Sequence, residues 1–134
     1  MADISQTPGN VAPSGTSPQF TAAAAVAIVA GQPCVVTNDS ITLSDANGAA
    51  AVRTCNALST SGGGVGQRVS YVKADSGINI GATLVSGGEY YVSENAGAIT
   101  ATKADVTSGS TAIVIGVATS TSLLNFNPTV GGTK

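Results

Sequence analysis

The sequence predicts an all-β domain: a small antiparallel β-sandwich or partly open β-barrel built from hairpins, with an extended N-terminal arm. Three observations carry that expectation. Valine, isoleucine and threonine together make up 39 of 134 residues, and β-branched side chains fit a pleated surface better than a helix. They come in short runs broken by Gly, Asn, Asp and Ser, the residues that form turns. A Gly-(Gln/Glu) pair opens such a run three times, at Gly31-Gln32, Gly66-Gln67 and Gly88-Glu89, and each run passes through a turn to an isoleucine, Ile41, Ile78 or Ile99.

The chain divides into an extended arm over 1–20, a β domain over 21–127 and a C-terminal tail over 128–134. In the arm, Pro8, Pro13 and Pro18 recur every five residues among Gly, Ser, Asn and Thr. Proline removes backbone donors, so neither a helix nor a central strand is expected there. No charge occurs between Asp3 and Asp39. An uncharged arm carrying Ile4, Val11 and Phe20 suits docking along another protein surface. Its deletion is expected to leave the body folded and to weaken that docking.

The elements of the β domain follow in order. Ala22 to Ala30, AAAAVAIVA, is the longest apolar run, and its Val26, Ile28 and Val29 argue against a helix. Strands are expected over 34–37 and 41–44 around Asn38-Asp39-Ser40. QRVSYVK (67–73) alternates, with Val69, Tyr71 and Lys73 on one face and Arg68, Ser70 and Val72 on the other. Gly66 to Ile80 is read as a second hairpin. EYYVS (89–93) turns through Glu94–Gly97 into 98–102, a third. Residues 104–109 suit a single turn. TAIVIGVAT (111–119) is apolar on both faces and is expected to be a central strand, and LLNF (123–126) closes the domain. The three Gly-(Gln/Glu) units start 35 and 22 residues apart, which excludes a solenoid of identical stacked units.

Composition excludes several function classes. Ala, Gly, Thr and Ser fill just over half the chain, and only 9% of residues are charged. The formal net charge is −2 and the mean hydropathy is +0.29, which is unlike a charged disordered chain. The five basic residues are scattered, whereas phosphate binding needs a basic patch, so no nucleic-acid partner is expected. No apolar run approaches the roughly 20 residues of a spanning helix, and the segment before Ala22 lacks the basic start of a secretory signal. Synthesis in a host cytoplasm is expected, with no membrane partner.

There is no histidine, which removes the commonest acid–base group and metal ligand. Four acidic positions, Asp39, Asp45, Asp75 and Glu94, sit in turn-forming contexts and are read as turn supports. Asp45-Ala46-Asn47-Gly48 lacks the further oxygens of a calcium loop. Ser61–Gly66, SGGGVG, lacks the Gly-Lys-Ser/Thr of a phosphate loop and is read as a flexible hairpin loop. Cys34 and Cys55 are read as two small buried side chains, with a disulfide as the alternative. No enzymatic activity, cofactor or metal is expected. Tyr90 and Tyr91 are adjacent on one strand and point to opposite faces, so one is expected inside and the other outside as an interface anchor.

Residues 81–124 resemble the small capsid decoration (cement) proteins of tailed bacteriophages. The resemblance rests on Gly81, Leu84 and Gly87 or Gly88 leading into Tyr90-Tyr91, then Gly97-Ala98-Ile99. Ala104-Asp105-Val106-Thr107 with Gly109 follows, and then Ile115-Gly116-Val117-Ala118. The Gly31-Gln32-Pro33-Cys34 and Gly66-Gln67-Arg68-Val69 stretches look like earlier hairpins of the same family. Cys55-Asn56-Ala57 departs from the family's Gly-Ile/Val-Ala element. The resemblance implies a homotrimer on the outer capsid surface that bridges and stabilises major capsid protein subunits. The arm and the aromatics (Ile4, Val11, Phe20, Tyr90, Tyr91) would form the partner interface. The expected location is therefore the virion. A tail-fibre or other virion-surface receptor-binding module is the alternative.

Overall fold

A computed structural model describes residues 3–101 and 110–133. The described chain is all-β, as the sequence predicts, and it forms two units. Strands β2 (Gln19–Ala24), β3 (Pro33–Thr37), β4 (Ser40–Leu43), β5 (Ala57–Ser59) and β6 (Arg68–Val72) close into a barrel in the order β2-β4-β3-β5-β6. Strands β1 (Val11–Ala12), β7 (Asp75–Ile80), β8 (Glu89–Val92), β9 (Ile99–Thr100), β10 (Thr111–Ala118) and β11 (Leu124–Thr133) form a sheet in the order β1-β7-β11-β10-β8-β9.

A barrel narrows as strand number falls, and this five-stranded one mixes small and large side chains in its interior. Ala22, Ala24, Cys34 and Ala57 fill it with Ile28, Ile41, Val69 and Tyr71. A second core, built on Ile78, Ile80, Leu84, Tyr90, Ile113, Ile115, Leu124 and Phe126, backs the sheet and takes in Leu58 and Val72 from the barrel strands. Strands β5 and β6 thus contribute side chains to both cores.

Two of the three predicted hairpins form. In β3–β4, Thr37 pairs with Ser40 across Asn38 and Asp39, both at positive φ, the left-handed pair that a two-residue turn between twisted strands requires. In β8–β9, Val92 pairs with Ile99. The second prediction is corrected: β6 and β7 are consecutive but lie in different units. Both edges of β6 are already taken, by β2 from Gln19↔Val72 to Ala23↔Arg68 and by β5 at Leu58↔Val72. The expected all-antiparallel pattern also has one exception, since β2 and β4 run parallel at Ala23↔Ser40 and Ala24↔Ile41. Strand β10 is central, between β8 and β11, as expected.

The arm and tail boundaries are corrected too. Residues 19 and 20 are the first two of β2, a barrel stave. The described residues before them lie along the chain's own body. Asp3 bridges Thr100, the Ile4 N–H donates to the Ile99 carbonyl at 2.9 Å, and Val11 pairs with Ile80. One N-terminal segment therefore covers both outer strands of the sheet, β9 and β7. An unpaired edge strand invites pairing with foreign chains, and this segment meets that need internally. At the other end, β11 continues to Thr133, so most of the expected tail is strand paired with β10 as far as Thr111↔Thr133.

Two glycines are set by close approach. A Cβ at Gly81 would run into the Thr7 carbonyl oxygen, and its φ is +77°. A Cβ at Gly116, within β10, would run into the Asn125 carbonyl oxygen of β11.

Candidate functional site: an uncharged loop end

The strand directions gather several loops at one end of the molecule. Strand β3 begins where β5 ends (Pro33↔Leu58), and β6 begins where β2 ends (Ala23↔Arg68). The loops 25–32 and 60–67 therefore share one end of the barrel, and reciprocal bonds between Ile28 and Gly63 at 2.9 Å join them. Gln6 ties this end to the sheet: its Nε2 donates to the Gly31 carbonyl at 2.7 Å and to the Ile80 carbonyl at 2.9 Å. The 81–88 loop leaves from Ile80. It is joined to the 119–123 loop by Leu84 N–H to the Thr121 oxygen (2.8 Å) and to the end of β10 by Gly87 N–H to the Ala118 oxygen (2.7 Å).

None of these four loops contains a charged residue. They nonetheless expose Val26, Val29, Val65, Val85 and Leu123, five of the eight large exposed apolar side chains among the described residues. Val65 is 72% exposed and Val85 71%.

Side chains hold the tips in place. Val29 N–H donates to Gln32 Oε1 at 3.0 Å, and Gly64 N–H donates to Gln67 Oε1 at 2.7 Å. The glutamine of each Gly-Gln pair thus reaches back three residues to cap its own turn. In the third unit the buried Tyr90 takes over, its hydroxyl oxygen accepting from Val85 N–H at 2.8 Å. Gly31, Gly66 and Gly87 all have φ between 83° and 89°, the left-handed geometry that glycine adopts most readily. The 61–66 loop read as flexible from its glycines is pinned at Gly63 and Gly64. Beside the tips, Ser5, Thr7, Asn10, Asn79, Gly81 and Thr83 line an open polar hollow of about 450 Å³.

The residues singled out from the sequence do not gather at one place. Ile4 is half-buried against the sheet core, and Val11 lies in β1 against β7. Phe20 is 37% exposed. It stacks on Tyr71 with ring centroids 5.7 Å apart, and Lys73 Nζ sits 4.6 Å from its ring centre. The outward tyrosine is corrected: Tyr90 and Tyr91 are both buried, because this sheet is covered on both faces at β8. The Ala104–Gly109 part of the resemblance lies outside the described residues. The exposed valines were not singled out in the sequence. The Gly-Gln repeat that precedes two of the strands was the available signal.

Charged groups border these loops without lying in them: Arg68 opens β6 directly after the 60–67 loop, and the exposed Glu89 opens β8 directly after the 81–88 loop. Arg68 forks onto Asp39 at 2.6 and 2.8 Å and also reaches Thr21; the side-chain bond to Arg68 holds the Asp39 carboxyl below its usual range. Asp45 and Asp75 each accept from the N–H two residues on, at Asn47 and Gly77, the turn role expected of them. Cys34 and Cys55 are free thiols, both buried. Burial, followed by the neighbouring Cys55, pushes Cys34 up to about 12, and burial pushes Cys55 up to about 11. Both are protonated at neutral pH and poor nucleophiles. No group of three or more acidic or cysteine side chains among the described residues is arranged to hold a metal ion. Comparison of the chain with family models, with curated proteins and with solved structures gave no match.

Proposed function

We propose that this chain is a structural virion protein that decorates the outside of a phage capsid, bridging major capsid protein subunits and stabilising the shell. The observation that carries the reading is the uncharged loop end, where exposed valines project from turns held by side-chain hydrogen bonds. A preformed apolar surface loses little conformational freedom on docking. A protein that binds only the assembled shell stabilises it by mass action. Several copies of a weak contact, as in the trimer implied by the resemblance, act together with high avidity. The resemblance of residues 81–124 to cement proteins supports the same reading.

The test is mass spectrometry and immunogold microscopy of particles purified from a lysate. Hundreds of copies per particle with label on the head are expected. A few copies confined to the tail would replace the proposal with a receptor-binding module, and absence from particles would overturn it.

A further inference from the structure

We infer that the loop end formed by residues 25–32, 60–67, 81–88 and 119–123 is the face that docks, and that it recognises an uncharged, apolar patch of the capsid shell. The inference rests on the decoration reading. Its own support is local.

The first support is chemical. The four loops present valine, leucine, alanine, glycine, serine, threonine and glutamine and no ionisable group; of the charged residues that border them, Arg68 is forked onto Asp39 and Glu89 opens β8. Such a surface gains nothing from a charged partner and would leave that partner's charges desolvated without compensation. A lipid surface is a poorer fit, because interfacial binding draws on Lys, Arg and aromatic residues, and these loops contain none. The second support is geometric. Three turns from different parts of the chain use the same left-handed glycine and a side-chain acceptor for a tip N–H, Gln32, Gln67 or Tyr90. Val29, Val65 and Val85 are exposed on these turns, whose backbone these bonds fix.

The experiment is co-sedimentation of the purified full-length chain with particles that lack it, at low and at high salt. Wild type is expected to bind with nearly the same affinity at both, because screening acts on charges. Val65→Asp and Val85→Asp alter exposed side chains, so folding is expected to be retained and is checked by thermal melting. Each is expected to weaken binding by about a hundredfold, the cost of placing an unpaired charge in a contact. Lys73→Glu, at the opposite end of β6, is expected to bind like wild type.

Wild-type binding with unchanged affinity in both valine variants would overturn the assignment of the face and leave decoration standing. Wild type that binds no particle would overturn decoration itself. Valine variants that break up a homo-oligomer in sedimentation velocity while binding particles normally would make this end a contact between copies, and the inference would fall. Binding that drops tenfold or more at high salt would overturn the neutral-partner chemistry.

Discussion

The side-chain nitrogen of Gln6 lies 2.7 Å from the carbonyl oxygen of Gly31, and the same nitrogen reaches Ile80 at 2.9 Å. Gly31 opens the barrel strand β3 and Ile80 ends the sheet strand β7, so one amide joins the two units. Gly31 sits at φ +89°, and a Cβ there would also lie 2.9 Å from that nitrogen, so the approach favours glycine. Gln6→Ala is expected to cost about 2 kcal/mol, from two lost hydrogen bonds and two carbonyls left without that donor. Urea unfolding checks it: an unchanged midpoint would mean that the bridge contributes nothing.

Gly81 and Gly66 share a left-handed backbone but differ in surroundings. Around Gly66 there is open space, whereas a Cβ at Gly81 would meet the Thr7 carbonyl oxygen. Gly66→Ala should therefore cost about 1 kcal/mol for the backbone conformation alone. Gly81→Ala should cost about 3 kcal/mol, because the N-terminal segment must also move. Equal losses in thermal melts of the two variants would show that the packing of Thr7 on Gly81 is unimportant.

Much of this fold was legible in the sequence, and the misses have a common cause. Alternation and turn residues locate β3, β4, β6, β8 and β10 because these are local signals. What a strand pairs with is not local. QRVSYVKADSGINI reads as a hairpin, yet β6 already has β2 and β5 on its two edges. The tyrosine pair reads as one residue in and one out, which holds only for a sheet with one wet face. The N-terminal segment reads as an arm for a partner because its prolines and missing charges say nothing about which surface receives it. The candidate docking face was half legible: the Gly-Gln repeat is plain in the sequence, but the capping by Gln32 and Gln67 requires the folded turn.

That reassignment changes what truncation should do. Deleting residues 2–12 removes β1 from β7 and the Asp3 and Ile4 contacts from β9, opening both outer strands of the sheet. The truncated chain is expected to melt at least several degrees lower and to self-associate through the bared strands. Calorimetry and light scattering test this. A monodisperse truncated chain with the melting temperature of the full-length chain would return the segment to the status of a free arm.

Stability should fall at both extremes of pH, for different groups. Burial tends to raise the Asp75 carboxyl, but its hydrogen bonds with Ser14 and the Gly77 N–H lower it by more, leaving it below the usual 3.8. A lowered folded value gives stability that is present above 3.8 and is lost as pH falls through the folded value. The cysteines act in the opposite sense. Burial, and for Cys34 then its neighbour Cys55, raises them from 9.0 to about 12 for Cys34 and about 11 for Cys55. The unfolded chain thus ionises first as pH rises above 9.0. Their contribution is complete below that pH and is lost through the window up to the folded values, by up to about 1.4 kcal/mol per thiol for each pH unit. Urea midpoints should therefore decline from pH 9 to 11 in wild type. A Cys34→Ala, Cys55→Ala chain, less stable at pH 7 because each change leaves a small cavity, should decline less steeply. Parallel slopes in the two chains would show that the thiols are not the groups responsible.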